Sequence, residues 1–100
     1  MRSFQTLYFT TQRLFQNESK SIYLENSYGY GHLRQLDEKT SQLNNIQYGE
    51  GYSLMVEGDV DIITGDRVFV DSVAYEVKGV KYDSFSSIDI KTALLNKKKL

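Results

Sequence analysis

Apolar and polar residues alternate most regularly between residues 66 and 82, and this pattern predicts a β-hairpin. A period of two residues in segments rich in valine and tyrosine is typical of half-buried strands. The two predicted strands are residues 66–71 and 74–82, and the short connection between them leaves room only for a hairpin turn. Gly79 interrupts the second strand and predicts a bulge or bend there. The side chains predicted to face the core are Val68, Val70, Tyr75 and Val77.

Shorter strands separated by polar turns are predicted along the rest of the chain. The turns are residues 16–20 and the pair Asn26-Ser27. The strands are residues 5–14, 21–25, 28–36, 48–57 and 88–94. In the first of these strands, apolar and polar residues are not sorted onto separate faces, which fits either an edge strand or a strand covered on both sides.

For three of these strands, the sequence also predicts which side chains share a face. Tyr28, Tyr30 and His32 share one face of the third strand, and Gly29 and Gly31 lie on its other face. Such glycines permit a bend or the close approach of a neighbouring backbone. The side chains predicted to point inward from residues 48–57 are Tyr52, Leu54 and Val56. The side chains that share one face of the last strand are Ile88, Ile90 and Leu94.

The alternation stops between residues 37 and 47, which are mostly polar and are predicted to form a loop. Asp37 has the residue type that caps a single helical turn. A loop of this length in so small a domain is either functional or disordered. The residues of this segment that are candidates for a functional role are Asp37, Glu38, Lys39, Thr40, Ser41, Gln42, Leu43, Asn44 and Asn45.

Six or seven short strands without a long helix predict an all-β fold, either a small barrel or a sandwich. Of the two, we take a six- or seven-stranded antiparallel barrel with one long loop as the prediction. The barrel is predicted to be a single domain of residues 1–96, followed by a charged tail of residues 97–100. A chain of 100 residues forms one small domain that buries roughly 65% of its unfolded surface, so its stability alone is marginal.

Composition narrows the possible functions. The formal net charge of −1 argues against nucleic-acid binding as the main task, because such proteins normally carry a basic excess. The sequence has no cysteine, which excludes disulfides and thiolate metal sites. It also contains no apolar run of about 20 residues and no signal-peptide core, so we expect a protein that is made and used without crossing a membrane.

The residues that could support catalysis or metal binding do not form a recognisable pattern. His32 is the only histidine, and a lone histidine on a strand face is usually structural. Asp59, Asp61 and Asp66 resemble the start of a calcium loop, but Ile63 and Thr64 occupy the positions that need an oxygen ligand and a glycine. We therefore predict no catalytic, cofactor-binding or metal-binding residues.

Two features permit binding without catalysis, and each also has a plainer interpretation. Lys97, Lys98 and Lys99 could contact phosphate, or they could form a solvated terminus. Aromatic strand faces such as those of Tyr28, Tyr30 and Tyr52 could stack single-stranded bases when a basic groove accompanies them. The surrounding strands supply little positive charge, which favours a role for these tyrosines in the core or in an interface.

The second part of the sequence resembles the head-completion proteins of tailed bacteriophages, also called stopper or head–tail connector proteins. The resemblance covers about residues 31–95, and the first thirty residues match only in being strand-like. The segments that carry it are Gly31-His32-Leu33-Arg34-Gln35-Leu36, then Asp61-Ile62-x-x-Gly65-Asp66-Arg67-Val68, then Tyr75-Glu76-Val77-Lys78-Gly79-Val80, and last Ala93-Leu94-Leu95.

This resemblance implies a structural role in the virion, without an active site. Such proteins form a ring below the portal, retain the packaged DNA that passes through the channel, and provide a docking surface for the tail. The implied partners are further copies of the chain in a ring of six or twelve, a portal or adaptor protein above, and a tail protein below. The resemblance also implies that the loop residues 37–45 contact a neighbouring copy or line the channel. The implied location is the head–tail interface of the virion, after synthesis in the cytoplasm of a bacterial host. The alternative is a monomeric small barrel that binds single-stranded nucleic acid or a peptide.

Overall fold

The computed structural model describes residues 6–16, 18–47, 49–85 and 88–98, and in this part of the chain six antiparallel strands close into a barrel. Around the barrel the strand order is β1-β2-β3-β6-β5-β4. The elements are β1 (Thr6–Gln16), β2 (Ser21–Gln35), α1 (Glu38–Leu43), β3 (Gly51–Glu57), β4 (Arg67–Val70), β5 (Val73–Phe85) and β6 (Ile88–Lys97). The all-β barrel predicted from the sequence is confirmed.

The hairpin predicted from the alternating pattern is formed by β4 and β5. Val70 pairs with Val73, so the loop contains two residues, Asp71 and Ser72. Their φ angles are 50° and 68°, and two positive values in succession match the primed turns that suit twisted hairpins. The pairing of β5 with β6 shifts register between Val77 and Gly79, which confirms the predicted bulge.

The barrel interior is filled by apolar side chains from β1, β3, β4, β5 and β6 and from the loop before β4, and the partly buried Leu33 of β2 packs against them. The four inward side chains predicted for β4 and β5 are all buried, and so are Leu54 and Val56 of β3. Tyr52 is partly buried and packs against this cluster. The buried cluster consists of Phe9, Leu54, Val56, Ile62, Val68, Val70, Tyr75, Val77, Ala93 and Leu95. One continuous core supports a single barrel domain.

The first strand has a partner on each side. β1 pairs with β2 along its length and with β4 at residues 10–12. Phe9 and Thr11 are fully buried, whereas Tyr8 is half exposed. The edge-strand interpretation is therefore wrong for residues 10–12, whereas outside these residues β2 is the only described partner of β1.

The turn predicted at Asn26-Ser27 is wrong, because β2 runs without interruption through both residues. Thr11 pairs with Ser27 and Gln12 with Glu25, so Asn26 is an extra residue that forms a bulge. Polar groups here find partners in the tertiary structure. The Ser27 N–H donates to Thr11 Oγ1 over 3.0 Å, and Asn26 Nδ2 donates to the carbonyl of Asp61 over 3.2 Å. These bonds satisfy side chains that would otherwise favour a turn.

Gly31 allows a close contact between β2 and β3, which is one of the two possibilities predicted for the glycines of this strand. A Cβ atom added to Gly31 would lie 2.7 Å from the carbonyl oxygen of Met55 and 2.9 Å from Cγ1 of Val56. Real side chains do not tolerate such distances, so any larger residue at this position would force the two strands apart.

The last predicted strand forms, but the face that packs on the core is opposite to the face that carries Ile88 and Ile90. Ala93 and Leu95 are fully buried, whereas Ile88 is 60% exposed. The strand continues through Lys97, and the Lys98 N–H donates to the carbonyl of Ala74 over 2.9 Å. The first two residues of the predicted tail are therefore held against β5.

Candidate assembly surfaces

The β1–β2 hairpin projects beyond the barrel as a two-stranded arm, which we define as residues 13–16 and 21–24. Among the described residues, these segments pair with each other and with no other strand. β4 contacts β1 at residues 10–12, and β3 contacts β2 at residues 32–35. The arm accounts for part of the elongated shape of the molecule, which measures 48 × 33 × 24 Å.

One face of the arm carries Arg13 and is otherwise apolar, and its apolar side chains are about half exposed within the described part of the structure. In β1 successive residues alternate between faces, so Phe15 points to the same side of the sheet as the buried Phe9. Phe15 pairs with Ile22, and Leu24 pairs with Arg13, which places all three apolar residues on that side. Their exposed fractions are 52% for Phe15 and 45% each for Ile22 and Leu24. The side of the sheet that faces the core in the barrel therefore extends into the arm, where its apolar side chains are no longer buried.

Three tyrosines form a cluster on the outer face of β1 and β2. Tyr8 pairs with Tyr30 across the two strands, and their ring centroids lie 5.3 Å apart in an edge-to-face arrangement. The centroid of Tyr28 lies 6.4 Å from that of Tyr8. All three rings are at least half exposed. Tyr52 does not join this cluster, because its ring packs against that of Tyr75 at 5.3 Å.

A groove of about 940 Å³ lies where β2 separates from β3. Residues 26–32 of β2 line one side, and residues 55–57, 59–61 and 88–90 line the other. Tyr28 and Tyr30 are among the residues that line it. The carboxylates along the groove belong to Glu57, Asp59, Asp61 and Asp89. Its surface therefore combines aromatic rings with negative charge.

Arg13 connects the arm to the loop before β4. Its Nε donates to Asp66 Oδ1 and its Nη2 to Asp66 Oδ2, both over 3.0 Å. The other edge of the guanidinium donates to both carboxylate oxygens of Asp61, over 3.0 and 3.1 Å. Asp66 is 1% exposed and also accepts the N–H of Ile63 over 3.0 Å. These bonds raise the pKa of Arg13, with the bond to Asp66 as the largest cause.

The bond from Arg13 also holds the pKa of Asp61 below its ordinary value, with a smaller contribution from Asn26. A carboxyl whose pKa is lowered by folding stabilises the fold above its unfolded pKa of about 3.9. That contribution is lost as the pH falls through the lower, folded-state pKa.

Asp61→Asn is therefore expected to reduce stability at neutral pH and to have progressively less effect below about pH 4. The carboxylate is 59% exposed, so the effect at neutral pH is small. Urea unfolding of both proteins at several pH values measures it. A deficit of equal size at neutral and strongly acidic pH would contradict the assignment to a charge interaction.

The segment predicted as a loop of interface or channel residues contains the short helix α1, so the loop prediction is wrong for residues 38–43. Asp37 is its N-cap and accepts the N–H of Thr40 over 2.7 Å, which also lowers the pKa of Asp37. Ser41 is fully buried, and Leu43 is 77% exposed. The remaining candidates are Glu38, Lys39, Thr40, Gln42, Asn44 and Asn45, of which Thr40 is partly buried and the others are exposed.

The three aspartates compared with a calcium loop are separated by the fold. Asp61 and Asp66 both bind Arg13, whereas Asp59 lies on the groove. Across the described ranges, no group of three or more histidine, aspartate or glutamate side chains is arranged to hold a metal ion. His32 also borders the groove. No helix in the described part of the chain has the length and apolar character to span a membrane.

Two features went unrecognised in the sequence. Phe15 and Ile22 flank the predicted turn of residues 16–20, and this was the signal for the apolar face of the arm. The turn that we predicted at Asn26-Ser27 separated this part of the chain from the rest of β2. Arg13 follows Phe9 and Thr11 on the core-facing side of β1, and a charged residue in that position indicates a buried partner. The sequence did not identify that partner.

No protein-family model matches this chain, and no curated protein matches its sequence.

Proposed function

We propose that this chain is a structural protein that assembles with copies of itself, and that it serves as a head–tail connector of a tailed bacteriophage. The observation that carries the proposal is the apolar face of the arm, formed by Phe15, Ile22 and Leu24. A small protein rarely exposes neighbouring large apolar side chains on a projecting element unless another surface covers them. Burial of each such side chain is worth about 1.5–3 kcal/mol when complete.

The molecule has two different ends, so successive copies of the chain can meet through unlike surfaces. The arm, the groove and the loop before β4 lie at one end of the barrel. The β4–β5 turn, the start of β3 and the end of β6 lie at the other end. A contact between unlike ends of successive copies generates a ring when the rotation closes. Such assembly also stabilises a domain of marginal size.

The connector role accounts for the remaining properties together. The resemblance to head-completion proteins involves the β4–β5 hairpin and the segment before it, both of which belong to the barrel. A net charge of −1 suits a collar past which packaged DNA must slide. In this role the ring sits between a portal or adaptor protein and a tail protein in the virion.

Phe15→Lys is expected to abolish assembly while leaving the barrel folded. Phe15 is half exposed on the arm, so the isolated chain loses little packing, whereas an interface would have to bury the new charge. Sedimentation velocity over a range of concentrations measures the assembly, and circular dichroism checks the fold. Leu14→Lys is the matched control, because Leu14 is 40% exposed on the opposite face of the arm. Equal behaviour of the two variants would contradict the role of the apolar face.

The alternative function, single-strand binding by a monomer, is favoured by the cluster of Tyr8, Tyr28 and Tyr30. Exposed aromatic rings are the stacking platforms of such proteins. The groove beside this cluster carries four carboxylates, however, where a nucleic-acid site needs positive charge. Fluorescence anisotropy with labelled single-stranded oligonucleotides separates the two proposals. We expect no binding, and an affinity that falls steeply with salt concentration would support the alternative.

A further inference from the structure

Along the groove, β2 has an edge with which no described strand pairs. β3 pairs with β2 only at residues 32–35, and the groove lies where this pairing stops. On its opposite edge, β2 is paired with β1 throughout this stretch. An unpaired edge presents a row of N–H and C=O groups with which another extended chain can form a ladder of hydrogen bonds.

The free backbone groups in the groove belong to Tyr28 and Tyr30. In antiparallel pairing, alternate residues turn their N–H and C=O groups toward the same neighbour. The Leu36 N–H donates to the carbonyl of Gly51 over 2.9 Å, so even-numbered residues of this stretch face the side of β3. The Ser27 N–H donates to a threonine side chain of β1, as expected for an odd-numbered residue. Across the described ranges, no backbone bond from a loop reaches Tyr28 or Tyr30.

The groove beside this edge is acidic. No lysine or arginine of the described residues lines it. The carboxylates that line it are exposed and belong to Glu57, Asp59, Asp61 and Asp89. Within the described part of the chain, Glu57 and Asp59 form no ion pair. Their negative charge is therefore available to a ligand.

Two cations near the groove do not neutralise it. Arg13 is shared between Asp61 and the buried Asp66. Lys91 donates from its Nζ to the carbonyl of Val60 over 2.8 Å. The carboxylates of the groove, counted together with Asp66, outnumber these two cations. A cleft lined by one sign of charge attracts ligands of the opposite sign.

We propose that the groove binds an extended segment of another protein, rich in lysine or arginine, which pairs as an added strand with the free edge of β2. Strand addition obtains its affinity from main-chain hydrogen bonds, here to Tyr28 and Tyr30, and its specificity from side-chain contacts. Basic side chains of the segment reach Glu57 and Asp59, and the exposed tyrosine rings pack beside their aliphatic stems. Residues 26–32 span roughly 20 Å, which suits a segment of about six residues. The site does not depend on self-assembly and goes beyond the proposed function.

Amide hydrogen exchange tests the added strand at individual residues. The probe is a capped peptide of about eight residues in which lysine and threonine alternate, because threonine favours strands. It is added to the isotope-labelled full chain at low ionic strength. We expect exchange at Tyr28 and Tyr30 to slow by at least about tenfold at saturation. Exchange at Gly29 and Gly31, whose N–H groups face β1, should change by less than about twofold.

N-methylated peptides distinguish strand addition from attraction between charges alone. Two further peptides carry methyl groups on the amide nitrogens of either all the lysines or all the threonines. An added strand turns only one of these two sets toward β2. By fluorescence anisotropy, we expect one methylated peptide to bind as tightly as the probe and the other to lose at least about tenfold in affinity.

A matched pair of variants tests the contribution of the groove. Glu57→Gln with Asp59→Asn removes the two unpaired carboxylates and is expected to weaken binding of the probe by at least about tenfold at low salt. Glu18→Gln with Asp71→Asn makes the same chemical change at exposed positions that do not line the groove. This control should change the affinity by less than about twofold, because its charges are distant and screened.

Several results would overturn the proposal. The first is no binding of the probe at low salt, or binding that leaves exchange at Tyr28 and Tyr30 unchanged. Equal affinities of the two methylated peptides would show that the strand edge is not used. Equal losses in the two variant pairs would exclude the groove. Exchange at the same two tyrosines that slows as the concentration of the peptide-free chain rises would assign the edge to a second copy instead of another protein.

Discussion

Tyr75→Ala is expected to lower the free energy of unfolding by about 3–5 kcal/mol, the range measured for removing large aromatic side chains from protein cores. Tyr75 is 5% exposed, and its ring packs edge-to-face against that of Tyr52. Its surroundings are apolar enough that burial raises the pKa of its hydroxyl. Strands on both sides hold the backbone in place, so the barrel has little freedom to collapse around the missing ring. Urea unfolding followed by circular dichroism measures the loss.

Two variants separate the contribution of the ring from other effects. Tyr75→Phe keeps the ring and is expected to change stability by less than about 1.5 kcal/mol, the scale of one hydrogen bond. Tyr28→Ala removes a ring that is 71% exposed and should change stability by no more than about 0.5 kcal/mol. A loss below about 1 kcal/mol for Tyr75→Ala, typical of surface sites, would contradict the inward assignment of β5.

Arg13→Met is expected to destabilise the protein by about 3 kcal/mol, because it leaves the carboxylate of Asp66 buried without its cation. Asp66 is 1% exposed, and two of its hydrogen bonds come from Arg13. The remaining bond from the Ile63 N–H does not neutralise the charge. For a small domain with a total stability of about 5–15 kcal/mol, this is a large fraction. Denaturant titration at neutral pH gives the value.

The cause of this loss can be tested by removing the orphaned charge. In the Arg13→Met background, Asp66→Asn is expected to recover part of the stability, since an uncharged amide is less costly to bury than a carboxylate. Arg34→Gln is the control for loss of an arginine at an exposed position of β2. If the double variant is less stable than Arg13→Met alone, the destabilisation does not arise from an unpaired carboxylate, and the network has another role.

The sequence predicted the hairpin and the barrel because the alternation in β3, β4 and β5 reports burial directly. Val68, Val70 and Val77 can satisfy their apolar character only on the inner face, and the structure places all three there. In β6 the same reasoning grouped Ile88 with Ile90, yet the core takes Ala93 and Leu95. An isoleucine on the outer face costs little free energy of folding, and the narrow interior of a small barrel accommodates an alanine. The alternating pattern of β6 by itself did not show which of its two faces packs against the core.

Other features depend on residues that are distant in the sequence. Arg13 and Asp66 are separated by 53 positions, and nothing near either residue specifies the other. Asn26 favours a turn by its local chemistry, but the carbonyl of Asp61 provides the bond that keeps it in a strand. The helix α1 has a capping residue in Asp37 and too few apolar residues to show a helical period. The assembly surfaces and the connector role stay predictions.

The mass of the assembled particle tests the central claim most directly. Native mass spectrometry of the unaltered chain, repeated over increasing protein concentration, counts how many copies of an 11.6 kDa subunit associate. The account predicts one discrete multiple whose population rises with concentration, with no larger species, because a ring closes on itself. A particle of 11.6 kDa at every concentration would contradict self-assembly. A continuous ladder of ever larger species would contradict closure into a ring.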